Sequence, residues 1–197
     1  MTAIPAPGTT HDAMLDAASD LIVEMGYTAM SHADITAAVG MGRTTFYEHF
    51  SSKEDLLVAL VNRDLPPLTA ELLESVDSTL PPDERMYQLG YKMVEFVGTD
   101  HLGLILHTEV PRLSTEAQVA ISDAHAGLAG EFASIYRDGV SEGMFRSIPH
   151  RLAGRMMEQI MMTGGKVVMD SPNPQGEVDD IARNTAEILV SALRVPG

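Results

Sequence analysis

With 197 residues and 45% hydrophobic content, the chain is long enough to bury most of its apolar surface without a metal or a crosslink. It has no cysteine, which excludes disulfides and thiolate catalysis, and no run of 18 apolar residues, which argues against a transmembrane span. A net charge of −15 opposes nucleic acid at long range, so a DNA-binding reading has to rest on where the few cations sit.

Taken in chain order, Pro5, Pro7 and Gly8 read as a flexible lead. With no Lys or Arg ahead of an apolar run in the first ten residues, no secretion signal is expected, and the expected location is cytoplasmic. Thr9 and Asp12 are a capping pair, and Met14, Ala18, Leu21, Ile22 and Met25 recur every three or four residues up to Gly26, which predicts a first helix. Ser31 and Asp34 cap a short second helix ending before Gly40. Gly40-Met41-Gly42 is a turn, and 43–49 a short third helix anchored by Phe46 and Phe50. Ser51 or Ser52, with Glu54 or Asp55, caps a fourth helix whose Leu56, Leu57, Leu60 and Val61 face inward. Pro66 and Pro67 interrupt it, yet Leu57, Val61, Leu65, Leu68, Leu72 and Val76 carry one stripe through them. One kinked helix or two consecutive ones both fit, and the domain junction is expected here, between 9–64 and 65–197.

Helices are further expected over 83–99, 100–110, where Pro111 ends the element, 115–140, 150–164 and 177–194. No stretch alternates as a strand does, so the fold class is all-α with about nine helices. His101 and His107 stand six apart without a helper ligand, so no metal site is expected. The Ser, His and Asp residues form no triad-like set, so no catalytic residues and no cofactor are expected either.

Three short helices joined by a glycine turn suit a helix-turn-helix, in which the second helix of the motif lies in the major groove. Residues 1–64 hold only three Lys or Arg (Arg43, Lys53 and Arg63) against nine acids, but Arg43 and Lys53 fall in the candidate contact segment. Arg43, Thr44, Thr45 and His49 are the expected base contacts, a guanidinium matching guanine and a threonine methyl matching thymine. Tyr47, Lys53 and Ser31 are the expected phosphate contacts.

Gly26-Tyr27, Asp34-Ile35-Thr36, Gly40-Met41-Gly42-Arg43-Thr44-Thr45-Phe46-Tyr47-Glu48-His49-Phe50 and Lys53-Glu54-Asp55-Leu56-Leu57 together make residues 11–63 resemble the N-terminal domain of the TetR family of bacterial transcriptional repressors. Two departures stand out. His11 and His32-Ala33 occupy regions where that family often carries Arg or Lys, and Gly42 and Thr44 stand where it commonly has Ser and Gly. The resemblance implies a homodimer that binds a pseudo-palindromic operator and responds to a small-molecule effector. It makes 150–165 and 177–194 the dimer candidates, with Ala153, Gly154, Ala182, Ala186 and Ala192 permitting close helix contact.

Within 65–197, Glu109 and His125 interrupt apolar stripes. Either they pair structurally, with each other or with Arg112, or they orient a ligand in a cavity otherwise lined by Met86, Met93 and Phe96. The competing function, motivated by the acidity, is a ligand-binding or protein-interaction module with weakened DNA binding.

Overall fold

Leucine, alanine and methionine at three- and four-residue spacing fold into helices throughout the described residues. The computed structural model describes residues 9–124 and 126–196. Its helices are α1 (Thr9–Met25), α2 (His32–Ala38), α3 (Arg43–His49), α4 (Lys53–Glu74), α5 (Pro82–Thr99), α6 (His101–Thr108), α7 (Thr115–Ala124), α8 (Ala126–Ser141), α9 (His150–Met169) and α10 (Pro174–Leu193), with a 3-10 turn at Val110–Arg112. Among the described residues the only extended pairing is an isolated bridge between Phe145 and Arg194. The proline-containing lead and His125 lie outside the described residues, and the helix expected over 115–140 is described as α7 and α8 on either side of position 125.

The start signals act as their chemistry requires. Ser31 and Asp34 form a reciprocal capping box on α2, the hydroxyl accepting from the Asp34 amide and the carboxylate accepting from the Ser31 amide at 2.8 Å. Ser52 caps α4 by accepting from the Asp55 amide at 3.0 Å. Of the two possibilities left open at Pro66-Pro67, the structure has the continuous one, α4 running through both. The prolines are exposed, whereas Leu65 and Thr69 on the other side are buried, so burial along the stripe offsets the missing amide donors.

Two apolar cores result. The first gathers Met14, Leu15, Ile22, Ile35, Phe46, Phe50 and the inner face of α4, and it also takes in Leu102 and Ile105 of α6 and Ile121 of α7. The second surrounds α5, which packs on α8, α9 and α10. There the buried Tyr136 hydroxyl donates to the Arg146 carbonyl and accepts from the Ile148 amide, each at 2.9 Å, which fixes the loop between α8 and α9.

Helices α5 and α9 meet through glycines. A Cβ on Gly165 would lie 2.3 Å from Val97 Cγ1 and 2.6 Å from its Cβ. Valine cannot rotate its Cβ away, so Gly165→Ala is expected to lower stability by about 1–3 kcal/mol through forced separation of the helices. That loss overrides the roughly 1 kcal/mol of helix propensity that alanine adds. A urea midpoint unchanged from the parent would contradict the close approach; Gly154→Ala, where nothing lies within 4 Å of the added Cβ, is the matched control.

Candidate nucleic-acid interface

The helix-turn-helix is built from α2, the turn at 39–42 and α3. Its turn closes when the Met41 amide donates to the Thr36 carbonyl at 2.8 Å, with Gly40 at φ +69°, a conformation that excludes most side chains. Phe46 is fully buried and Phe50 nearly so, their rings 5.7 Å apart, which fixes one side of α3 to the core. The other side is open. Arg43, Thr44, Tyr47, Glu48 and His49 are exposed and Thr45 is half-buried. The Arg43 guanidinium lies 6.0 Å from the Tyr47 ring. Tyr47, 48% exposed, has its hydroxyl 3.4 Å from His32 Nδ1. The His32 ring sits 4.4 Å from that of Phe46, and burial, followed by the charges of Arg43 and Lys53, lowers its pKa from the usual 6.5.

The structure brings the expected base contacts Arg43, Thr44, Thr45 and His49 together on one short helix, with Tyr47 among them. The remaining two expected phosphate contacts have intramolecular partners. The Ser31 hydroxyl donates to Asp34 Oδ2 at 2.6 Å within the capping box. Lys53 Nζ donates to the carbonyls of Tyr27 at 2.8 Å, Met30 at 3.0 Å and Thr28 at 3.4 Å, and stands 4.3 Å from the Tyr27 ring centroid. It thereby ties the start of α4 to the loop between α1 and α2. Burial lowers its pKa, while Glu109 acts in the opposite sense.

This junction also receives the C-terminal region, which sequence reading missed. Glu54 accepts from the Ser114 hydroxyl and, at 3.2 Å, from the Ser114 amide. Burial, then Glu54 and Glu109, push the Tyr27 phenol up to about 12. Glu109 is 15% exposed, and Arg112 Nη1 reaches it only at 3.7 Å.

The described candidate pocket residues are divided between the two cores and the junction. Met86 is fully buried in the second core, Met93 packs against that core, and Phe96 packs against the first. Glu109 borders the junction, and His125 lies outside the described residues. Of the small residues expected to serve dimerisation, Ala153, Ala182 and Ala186 are buried within the chain's own core; a Cβ on Gly90 of α5 would approach Ala186 and Leu189. Gly154 is exposed, and among the otherwise mostly polar exposed residues of α9 and α10 stand the large apolar side chains Leu152, Val167 and Ile188, the last 60% exposed. Among the described residues no group of three or more His, Asp or Glu side chains could hold a metal ion, and no helix is long and apolar enough to cross a membrane.

An anchored recognition helix on a small helical head, followed by a larger helical region, is the architecture of a helix-turn-helix DNA-binding regulator. The family model for bacterial regulatory proteins of the tetR family matches residues 14–60. The transcriptional repressor KstR2 of Mycobacterium tuberculosis H37Rv is 28% identical over 135 residues, 68% of each protein. Two solved structures share the fold. FadR of Bacillus subtilis in complex with stearoyl-CoA has a TM-score of 0.77 and 21% identity, covering 93% of this chain and all of that one. AibR in complex with isovaleryl coenzyme A and operator DNA has a TM-score of 0.70 and 22% identity, covering 95% of this chain and 99% of the other. Residues 14–60 thus carry the DNA-binding domain of the tetR family of bacterial regulatory proteins, and the chain as a whole is similar in fold to solved transcriptional regulators.

Proposed function

We propose that the chain is a cytoplasmic, ligand-responsive repressor that binds a pseudo-palindromic operator as a homodimer and has no catalytic activity of its own. The observation that carries this reading is α3, anchored by Phe46 and Phe50 and offering Arg43, Thr44, Thr45, Tyr47 and His49 on its other side. In a two-fold dimer the paired helices enter successive major grooves, roughly 34–36 Å apart. Arg43, Thr44, Thr45 and His49 then face base edges, with Tyr47, Lys53 and Ser31 toward the phosphates. The exposed Leu152, Val167 and Ile188 supply the apolar surface for pairing α9 and α10 with a second copy.

Effector binding in 65–197 acts on the head through the hydrogen bonds of Ser114 to Glu54 and through the charge of Glu109 acting on Lys53. It releases the operator only if the effector favours the non-binding geometry. Acyl-coenzyme A thioesters are the first class to try, because FadR and AibR are each in complex with one.

Selection of random duplexes at low salt tests the DNA reading. A reproducible inverted repeat is expected, and Arg43→Ala is expected to relax base preference at its position, at a cost of about 1–3 kcal/mol on the preferred sequence. The second reading, a ligand-binding or interaction module with weakened DNA binding, is favoured by the scarcity of cations in the head. It predicts no enrichment from an intact dimer.

A further inference from the structure

We propose that DNA binding by this chain is proton-linked, the imidazoles of His11 and His49 adding to the little positive charge that lysine and arginine supply. The proposal rests on the reading of α3 as a DNA-recognition helix. The head has three Lys or Arg, and two are occupied. Arg63 is held by Asp16 at 2.8 Å, by Asp64 at 2.6 Å and by the Asp12 carbonyl at 3.3 Å. The Lys53 ammonium is turned onto the three carbonyls between α1 and α2.

His11, in the first turn of α1, and His49, the last residue of α3, have ring centroids 6.2 Å apart. His11 also packs 4.8 Å from the Phe50 ring, so the beginning of one helix and the end of the recognition helix bring two imidazoles to one side of the head. The charged groups around them are few. His11 Nδ1 is 3.3 Å from Asp12 Oδ1 on its own helix. Farther along α1, Asp16 is matched by Arg63 of α4, which also holds Asp64. On α3, Glu48 precedes His49, and at the start of α4 the Asp55 carboxylate accepts from the Ser51 amide and hydroxyl.

A neutral imidazole offers one N–H and no charge; the protonated ring offers two and a full positive charge. Protonation of His11 also neutralises Asp12, which otherwise repels an approaching phosphate. Because DNA favours the protonated rings, binding takes up protons, and affinity rises as pH falls. Each imidazolium that neutralises a phosphate also releases a counterion and steepens the salt dependence. His32 sets the lower limit. Its pKa is lowered, so the head stability associated with its neutral form is present above the usual 6.5 and is lost as pH falls through the depressed value.

The test uses the full chain and its selected operator, with affinity measured against salt at about pH 8 and about pH 6. The expected result is about tenfold or greater tightening at the lower pH, with the log–log salt slope steeper by about 0.9 for each imidazole engaged. His11→Gln with His49→Gln is expected to flatten the pH profile, and His11→Lys to retain tighter binding at the higher pH. A parent protein whose affinity and salt slope are the same at both pH values overturns the proposal and leaves DNA recognition standing, as does a pH response that persists undiminished in the double variant. Absence of sequence-specific binding at either pH overturns the recognition reading itself.

Discussion

Phe46→Ala is expected to cost about 3–5 kcal/mol of stability and to abolish specific operator binding. The ring is fully buried and is the centre of an aromatic group: Phe50 at 5.7 Å, Tyr47 at 5.4 Å and His32 at 4.4 Å. Truncation leaves a cavity beneath a helix of only seven residues, too short to persist without tertiary packing. Since whole domains are stable by only about 5–15 kcal/mol, a loss of this size leaves α3 poorly held even where the rest of the chain stays folded. Denaturant titration and operator affinity check it together, with Phe46→Leu as the milder comparison. Near-parental stability and affinity in the alanine variant would show that α3 is not held through this ring.

Lys53→Met is expected to destabilise the head by about 2 kcal/mol and to weaken all DNA sequences alike, and the salt slope tells why. A half-buried ammonium satisfies three carbonyls of the α1–α2 loop. Hydrogen bonds to a charged group contribute about 1.5–3 kcal/mol each when well formed, reduced here by partial solvent access. Methionine preserves much of the aliphatic packing but leaves those carbonyls without their donor. If Lys53 also meets a phosphate, the variant's slope of log affinity against log salt becomes shallower by about 0.9. If it acts only by tethering the loop, affinity falls while the slope stays at the parental value. Unchanged stability in the variant would remove the tethering role.

The head was legible because its determinants are local. Ser31 and Asp34 declare a helix start three residues apart, Gly40 declares a turn by itself, and Phe46 and Phe50 define an inner face within one helical turn. Contacts between distant residues were not legible. Nothing near Lys53 in sequence indicates that its ammonium meets carbonyls more than twenty residues earlier, nor that Glu54 meets Ser114, sixty residues later. The small residues of α9 and α10 show the same limit: periodicity identifies an inward face, but only the packing shows that Ala182 and Ala186 lie within their own subunit. Of the pocket candidates on α5, Met86 and Met93 pack in or against one core and Phe96 against the other, a division that spacing alone does not reveal.

The membership of Leu102, Ile105 and Ile121 in the first core bears on how the protein divides. A fragment ending at residue 64 carries every side chain proposed to touch DNA but lacks apolar neighbours that shield the underside of α4, so it is expected to fold poorly by itself. The reader of the operator and the segments that share its core are therefore expected to melt together. Anything that pulls α7 away from α4 is then expected to loosen the grip on DNA by softening the scaffold, before any change in the distance between paired recognition helices is needed.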